Sequence, residues 1–300
     1  MKSTSAKIAL FSTSALGLLL LAGQVAAYRG GTSGGYSGAP GERDCTSCHR
    51  SFPLNSGSAT FEVSASETLV GQANLPVQVA FTGSTFNRWG FELSMRDSSG
   101  ATSGAWTITD PTNTQLSSGT HVSQTRNGSG QSSWSATWTP PGNLPAGPLT
   151  FYSAGLEADG SGTSNDPVYT SAFTVYQAEV STANATWPLG STQMLNLAAP
   201  TRPGSFYVLA ISDSTTPTPL GGAMDLPVNL ASPFFSLVLQ GFPIFQNFIG
   251  ALDAAGNAQA TVLIPNIPFL SGFQWHFAFA TLTPAANVTE VSNRTSVVLQ

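Results

Sequence analysis

Leu149-Thr150-Phe151-Tyr152-Ser153-Ala154 and Tyr169-Thr170-Ser171-Ala172-Phe173-Thr174-Val175, with the turn signal Asp159-Gly160 between them, place large apolar side chains at every second position. Period two is the mark of a strand with one buried face. Working outward, Trp134-Ser135-Ala136-Thr137-Trp138, Trp89-Gly90-Phe91-Glu92-Leu93-Ser94-Met95, Val77-Gln78-Val79-Ala80-Phe81 and Phe61-Glu62-Val63 repeat the pattern. Asp97 to Gly100, Asn127-Gly128 and Pro140-Pro141-Gly142 punctuate these runs as turns. Six or more such strands predict an antiparallel β-sandwich. From Ala178 the alternation restarts, in Met194 to Leu197, Phe206 to Ile211, Phe248 to Leu252, Ala260 to Ile264, His276 to Ala280 and Ser296 to Leu299. The chain is therefore expected to be all-β, with two antiparallel sandwich domains in tandem. The boundary is expected between Gln177 and Trp187, where a polar Ser-Thr-Ala-Asn-Ala-Thr stretch follows the strand. The apolar run Phe234 to Leu252 contains Gln240, Gly241, Pro243, Gln246 and Asn247, and reads as buried strands and a turn rather than a membrane span.

Residues 1–27 read as a secretory signal peptide: Lys2 and Lys7 precede the apolar Ile8 to Leu21, and Val25-Ala26-Ala27 offers a small-residue cleavage site. Gln24, not Cys, follows Leu21-Ala22-Gly23, which argues against lipid anchoring there. Mature protein is expected to begin at Tyr28, with 28–44 a flexible Gly/Ser-rich leader. Gly31-Thr32-Ser33-Gly34-Gly35 matches the hydrolase elbow G-x-S-x-G only formally, since no strand precedes it and no helix follows. Lys2 and Lys7 are the only lysines, so beyond the signal 8 Arg face 15 Asp and Glu, a net charge of −7. An acidic, lysine-free surface excludes nucleic acid and anionic membranes as expected partners.

The chemistry sits in Cys45-Thr46-Ser47-Cys48-His49, which contains the only two cysteines. C-x-x-C-H is the attachment signature of c-type haem: two thiols add across the haem vinyl groups, and the adjacent imidazole ligates iron. A redox dithiol would normally come with a thioredoxin-like βαβ pattern, and a zinc site needs four ligands where no second Cys/His pair exists. Export and the motif support each other, because covalent haem is attached outside the cytoplasmic membrane. Three His, no mature Lys and scattered carboxylates leave a hydrolase without parts, so the chain is not expected to be an enzyme. Asp159 and Asp166 flank a Gly-rich loop that suits either a calcium ion or a simple Asx-stabilised turn. Trp89, Phe91, Trp134 and Trp138 suit either a pocket wall or the sandwich core.

Gly38-Ala39-Pro40-Gly41-Glu42 before the motif, the Trp89-Gly90-Phe91 strand, His121 ahead of Trp134-x-x-x-Trp138-Thr-Pro-Pro141, Leu149-Thr-Phe-Tyr-x-Ala-Gly155 and Asp166-x-Val-Tyr169 together resemble the choice-of-anchor V domain family. That family is bacterial, secreted, haem-motif-bearing and similar to Reeler β-sandwiches; the resemblance spans about Gly38 to Val175. It implies an immunoglobulin-like, haem-bearing sandwich over 45–177. Residues 178–300 resemble a C-terminal β-domain of bacterial exported proteins, through Leu252-Asp-Ala-Ala-Gly256, Ile264-Pro265 and Ser292-Asn293. The expectation is a secreted monohaem c-type protein at the periplasm, cell surface or exterior, with covalent haem on Cys45 and Cys48 and His49 on the iron. Electron exchange with a redox partner protein, or haem display, is the expected role. The alternative is a structural or adhesive protein that binds a matrix component. For the sixth ligand, Met95 continues an apolar strand face and His276 belongs to the second domain, whereas His121 matches a His in the family's pattern. His49/His121 ligation and a low-spin haem are the expectation; an ordinary loop His is the competing reading of His121.

Overall fold

The computed structural model describes residues 29–221 and 224–300; the expected signal segment lies outside them. The first half is a sandwich of two antiparallel sheets. One has the order β1 (Thr60–Ser64), β2 (Leu75–Thr82), β7 (Ser133–Thr139), β4 (Ala105–Thr107). The other has the order β5 (Thr114–Ser117), β6 (His121–Gln124), β3 (Arg88–Arg96), β8 (Leu149–Ala158), β9 (Val168–Val175). β4, β5 and β6 are only three to four residues long, too short for alternation to mark them in the sequence.

Alternation decides what faces inward. Phe61, Val77, Val79 and Phe81 from one sheet meet Phe91, Leu93, Met95 and Phe151 from the other. Trp138 is fully buried, its Nε1 donating to the Ser103 carbonyl at 3.0 Å, and its ring meets Phe151 edge-on at 5.7 Å. Met95 is part of this core, and so are Trp134 and Trp138. Gly155 lies where β8 passes under Phe61, and an added Cβ would stand 2.5 Å from Phe61 Cε2. Gly155→Ala is therefore expected to cost about 1–3 kcal/mol by overpacking, read as a lower urea midpoint with an unchanged slope.

The opposite face of β3 carries Glu92, Ser94 and Arg96, which by period two should meet water, yet all three are buried. What covers them is the segment expected to be a flexible leader, and that expectation is corrected. Residues 29–44 lie across β3 and β6 as a strap held by polar contacts rather than apolar area. Thr32 donates its hydroxyl to Glu92, and the Tyr36 amide donates to Glu92 Oε1 at 2.6 Å. Ser37 has no exposure and meets Ser94 Oγ at 2.7 Å, while Ser117 donates to the Thr32 carbonyl. The glycines serve close approach: Gly31 (φ 91°) and Gly34 (φ 94°) both have positive φ, and a Cβ at Gly34 would collide with Ser118.

The chain passes into the second half without a loose linker. Tyr176 N donates to Glu67 O, Gln177 is buried with Nε2 donating to the Pro145 carbonyl at 2.6 Å, and a new strand, Glu179–Ser181, begins two residues on. The polar Ser-Thr-Ala-Asn-Ala-Thr stretch thus lies inside the second half, between and within its first two strands. That half has two main sheets, Glu179–Ser181, Thr192–Ala198, Asn257–Leu263 and Phe245–Gln246 in one, and Thr186–Trp187, Thr295–Leu299, Gln274–Leu282, Phe206–Ser212 and Ile249–Ala251 in the other, where Val288–Val291 also pairs with Gln274–Leu282; a two-stranded ribbon, Thr218–Pro219 with Asp225–Leu226, stands beside them. Trp187, Trp275, Phe277 and Phe279 fill the space between them. The run Phe234 to Leu252, expected as strands and a turn, begins with a short α-helix, Pro233–Leu239. Pro233 occupies the first helical turn, where its fixed φ and missing N–H cost nothing. Among the described residues no helix is long and apolar enough to cross a membrane.

Candidate functional site

Asp44 starts the site. Its carboxylate accepts from the Thr46 amide at 2.7 Å and caps a single 3-10 turn, Cys45–Ser47, which closes with Cys48 N and His49 N both donating to the Cys45 carbonyl. One tight turn thereby gathers both thiols and the imidazole. Both cysteines are free; Cys45 is buried and packs on Ala154 and Val168 of β8 and β9. Burial, followed by the charges of Glu92 and Asp44, pushes the Cys45 thiol far above its ordinary range, so it is held as a neutral thiol.

The three side chains open onto a cavity of about 370 Å³ between the strap and the outer face of β3 and β8. That volume lies within the range of cofactor pockets. Gly90, Leu156 and Ala158 form its floor, Trp89 and Phe91 line it further, Tyr36 belongs to the strap, and Arg29 and Arg88 bring positive charge to it. Of the four aromatics singled out in the sequence, Trp89 and Phe91 line this cavity, and Trp134 stacks on Phe91 from the core at 4.5 Å.

His49 is 6 % exposed and its Nδ1 lies 2.7 Å from Oδ2 of Asp166, which is 1 % exposed. Asp166 sits 117 residues downstream, at the end of the Gly-rich loop after β8. Burial raises its carboxyl, with the His49 hydrogen bond acting against that rise. Asp159 caps its own turn, accepting from Ser161 N and Oγ at 2.7 Å each, and burial is absent there. Of the two readings of this loop, Asp159 thus forms the Asx-stabilised turn, and Asp166 has a separate partner in His49.

His121 lies on β6 outside the cavity lining. Its Nε2 is 2.8 Å from Glu42 Oε1, and its Nδ1 meets Thr120 Oγ1 at 2.9 Å and Ser118 Oγ at 3.2 Å. Both ring nitrogens are engaged in a latch that joins Glu42 of the strap to Arg96 and Glu92 of β3. His49 lines the cavity and His121 does not, so the expected pairing of the two on one iron has no support in this geometry. In Glu42, burial raises the carboxyl, but hydrogen bonds from Ser37 and His121 and the charges of His121 and Arg96 outweigh it and hold the group below its ordinary range. Glu92 is raised, chiefly by burial. His276, in the second half, meets Ser296 Oγ at 2.7 Å far along the chain from the motif.

No protein-family model matches the chain, and no curated protein matches it. Among solved structures it is similar to the human F-spondin Reeler domain (15 % identity, 42 % of this chain and 94 % of that one, TM-score 0.32). It is also similar to the Yersinia pseudotuberculosis adhesin InvE (15 % identity, 81 % and 58 % of the two chains, TM-score 0.24) and to murine CEACAM1b (11 % identity, 81 % and 100 %, TM-score 0.24). These likenesses carry no functional argument; the all-β sandwich architecture rests on the strand pairing itself.

Proposed function

We propose that this is an exported β-sandwich protein carrying one covalent haem c in the cavity beside Cys45, Cys48 and His49. The observation that carries the reading is that the three residues of the motif, adjacent in sequence, share one pocket whose remaining lining suits a flat amphipathic ring. Trp89 and Leu156 would offer apolar surface to the macrocycle, with Phe91 backing them from the core, and Arg29 and Arg88 would offer guanidinium partners to its two carboxylates. When bound, the haem supplies one-electron and ligand chemistry at iron. The chain's own part is to hold Cys45 and Cys48 at one turn, to leave Nε2 as the ring nitrogen of His49 free for metal, and to exclude bulk water with the strap. Electron exchange or haem display at the cell exterior, with a basic or neutral redox partner, is the role this arrangement supports.

A second reading is a structural or adhesive exterior protein. It is favoured by the second half, where Phe269 is 78 % exposed and Leu239 61 %, large apolar groups on its surface. One experiment separates the two: co-expression with a c-type haem maturation system, followed by haem staining of a denaturing gel. A stained band at about 30 kDa that disappears in Cys48→Ser is expected. A colourless, folded protein with a Cys45 to Cys48 disulfide refutes the haem reading and leaves the second.

A further inference from the structure

We infer that haem iron at this site keeps one coordination position for a small exogenous molecule, with His49 as its sole protein ligand. This rests on the haem reading above. His49 is the only imidazole in the cavity lining, and no thioether lines it. The chain's other candidate ligands are committed elsewhere. His121 holds the strap latch with both nitrogens, Met95 is buried in the sandwich core, and His276 and Met194 belong to the second half. Met224 packs against Leu226 and Val228, also in the second half. The mature chain has no lysine.

Two further features suit such a site. The Asp166 carboxylate accepts from His49 Nδ1 at 2.7 Å, both groups buried, which fixes the tautomer and the ring orientation and leaves Nε2 for the metal. Asp166 is thus a positioning residue. Gln124 lines the cavity and accepts the Phe91 amide on its Oε1 at 2.8 Å, so its orientation is set and its amide nitrogen is the end left as a donor. A diatomic molecule that binds ferrous iron, with an acceptor atom for that amide, is the ligand class the cavity fits.

The test uses full-length mature protein matured with haem, carbon monoxide as probe of the ferrous form and imidazole as probe of the ferric form. Absence of covalent haem overturns the haem reading itself. With haem present, the expected results are a high-spin ferric spectrum, a Soret shift with carbon monoxide, and conversion to low spin with imidazole. Met95→Leu, a volume-conserving change in the sandwich core away from the strap, should leave all three unchanged. Asp166→Asn should retain the covalent haem but lower the iron–histidine stretching frequency of the ferrous protein, and Asp166→Glu should restore part of it, a pattern that a merely structural role would not produce. A low-spin ferric spectrum without added ligand overturns the inference, as does a tyrosinate band lost in Tyr36→Phe. So does an iron–histidine frequency indifferent to both Asp166 variants in folded, haem-loaded protein.

Discussion

Glu42→Ala should release the strap over residues 29–44 and lower stability by about 3–5 kcal/mol, the cost of leaving a buried charge without its partner. Glu42 accepts from Arg96, itself 7 % exposed, and from His121 Nε2 at 2.8 Å. Nothing else on the strap reaches Arg96, whose other contact is the Met95 carbonyl. Arg43 is exposed and immediately follows Glu42, so tryptic cleavage there should accelerate in the variant while the sandwich core stays resistant. The same latch gives a pH dependence with a defined sign. The Glu42 carboxyl is held below its ordinary 4.5, so its stabilisation is complete above that value and is lost as pH falls through the lowered folded one. Acid should therefore loosen the strap before it unfolds the sheets. Equal cleavage rates for wild type and Glu42→Ala at neutral pH would show that the latch does not hold the strap.

The strap also shows where sequence reasoning stops. The long strands were legible because their stabilisation is apolar area, and apolar area is written as period two: Trp89, Phe91, Leu93 and Met95 announce a strand by themselves. Residues 29–44 bury little apolar surface. Their order comes from Glu92, Ser94 and Arg96 more than fifty residues away, and a Gly/Ser composition that suits a flexible linker also suits a chain that must pass close over a sheet at positive φ. The Cys45 to His49 motif stands out because its residues are adjacent in the chain, and one 3-10 turn keeps them together. The role of Asp166 was not legible, since no spacing rule links it to a histidine 117 residues earlier; its loop composition suits an Asx-stabilised turn or a calcium ion. His121 was noticed for its place in a pattern, and the structure gives that place a different physical reason, a buried hydrogen bond to Glu42. The helix Pro233–Leu239 was hidden for the opposite reason: seven apolar-rich residues are too few for a period of 3.6 to declare itself.

Glu290→Gln should stabilise the second half at alkaline pH and do little in acid. Glu290 lies on the strand Val288–Val291, opposite Thr281, with no exposed surface. Its nearest cation is Arg202, whose Nη2 is 3.5 Å from Oε2, and neither carboxylate oxygen has a well-formed hydrogen bond. Burial pushes the carboxyl from 4.5 up to about 7, and the partly exposed Arg202 offsets only some of that. A raised acid means that between these two values the folded chain binds more protons than the unfolded one, so stability falls as pH rises across that window. The full loss above pH 7 is on the order of 3 kcal/mol. Gln keeps the shape and removes the charge, which should recover most of that loss at pH 8 while leaving Arg202 to water. Urea unfolding of wild type and variant at pH 5 and pH 8 tests this. The two should nearly coincide at pH 5 and separate at pH 8, with the variant the more stable; curves that run parallel, or a variant weaker at both, would place the strain elsewhere.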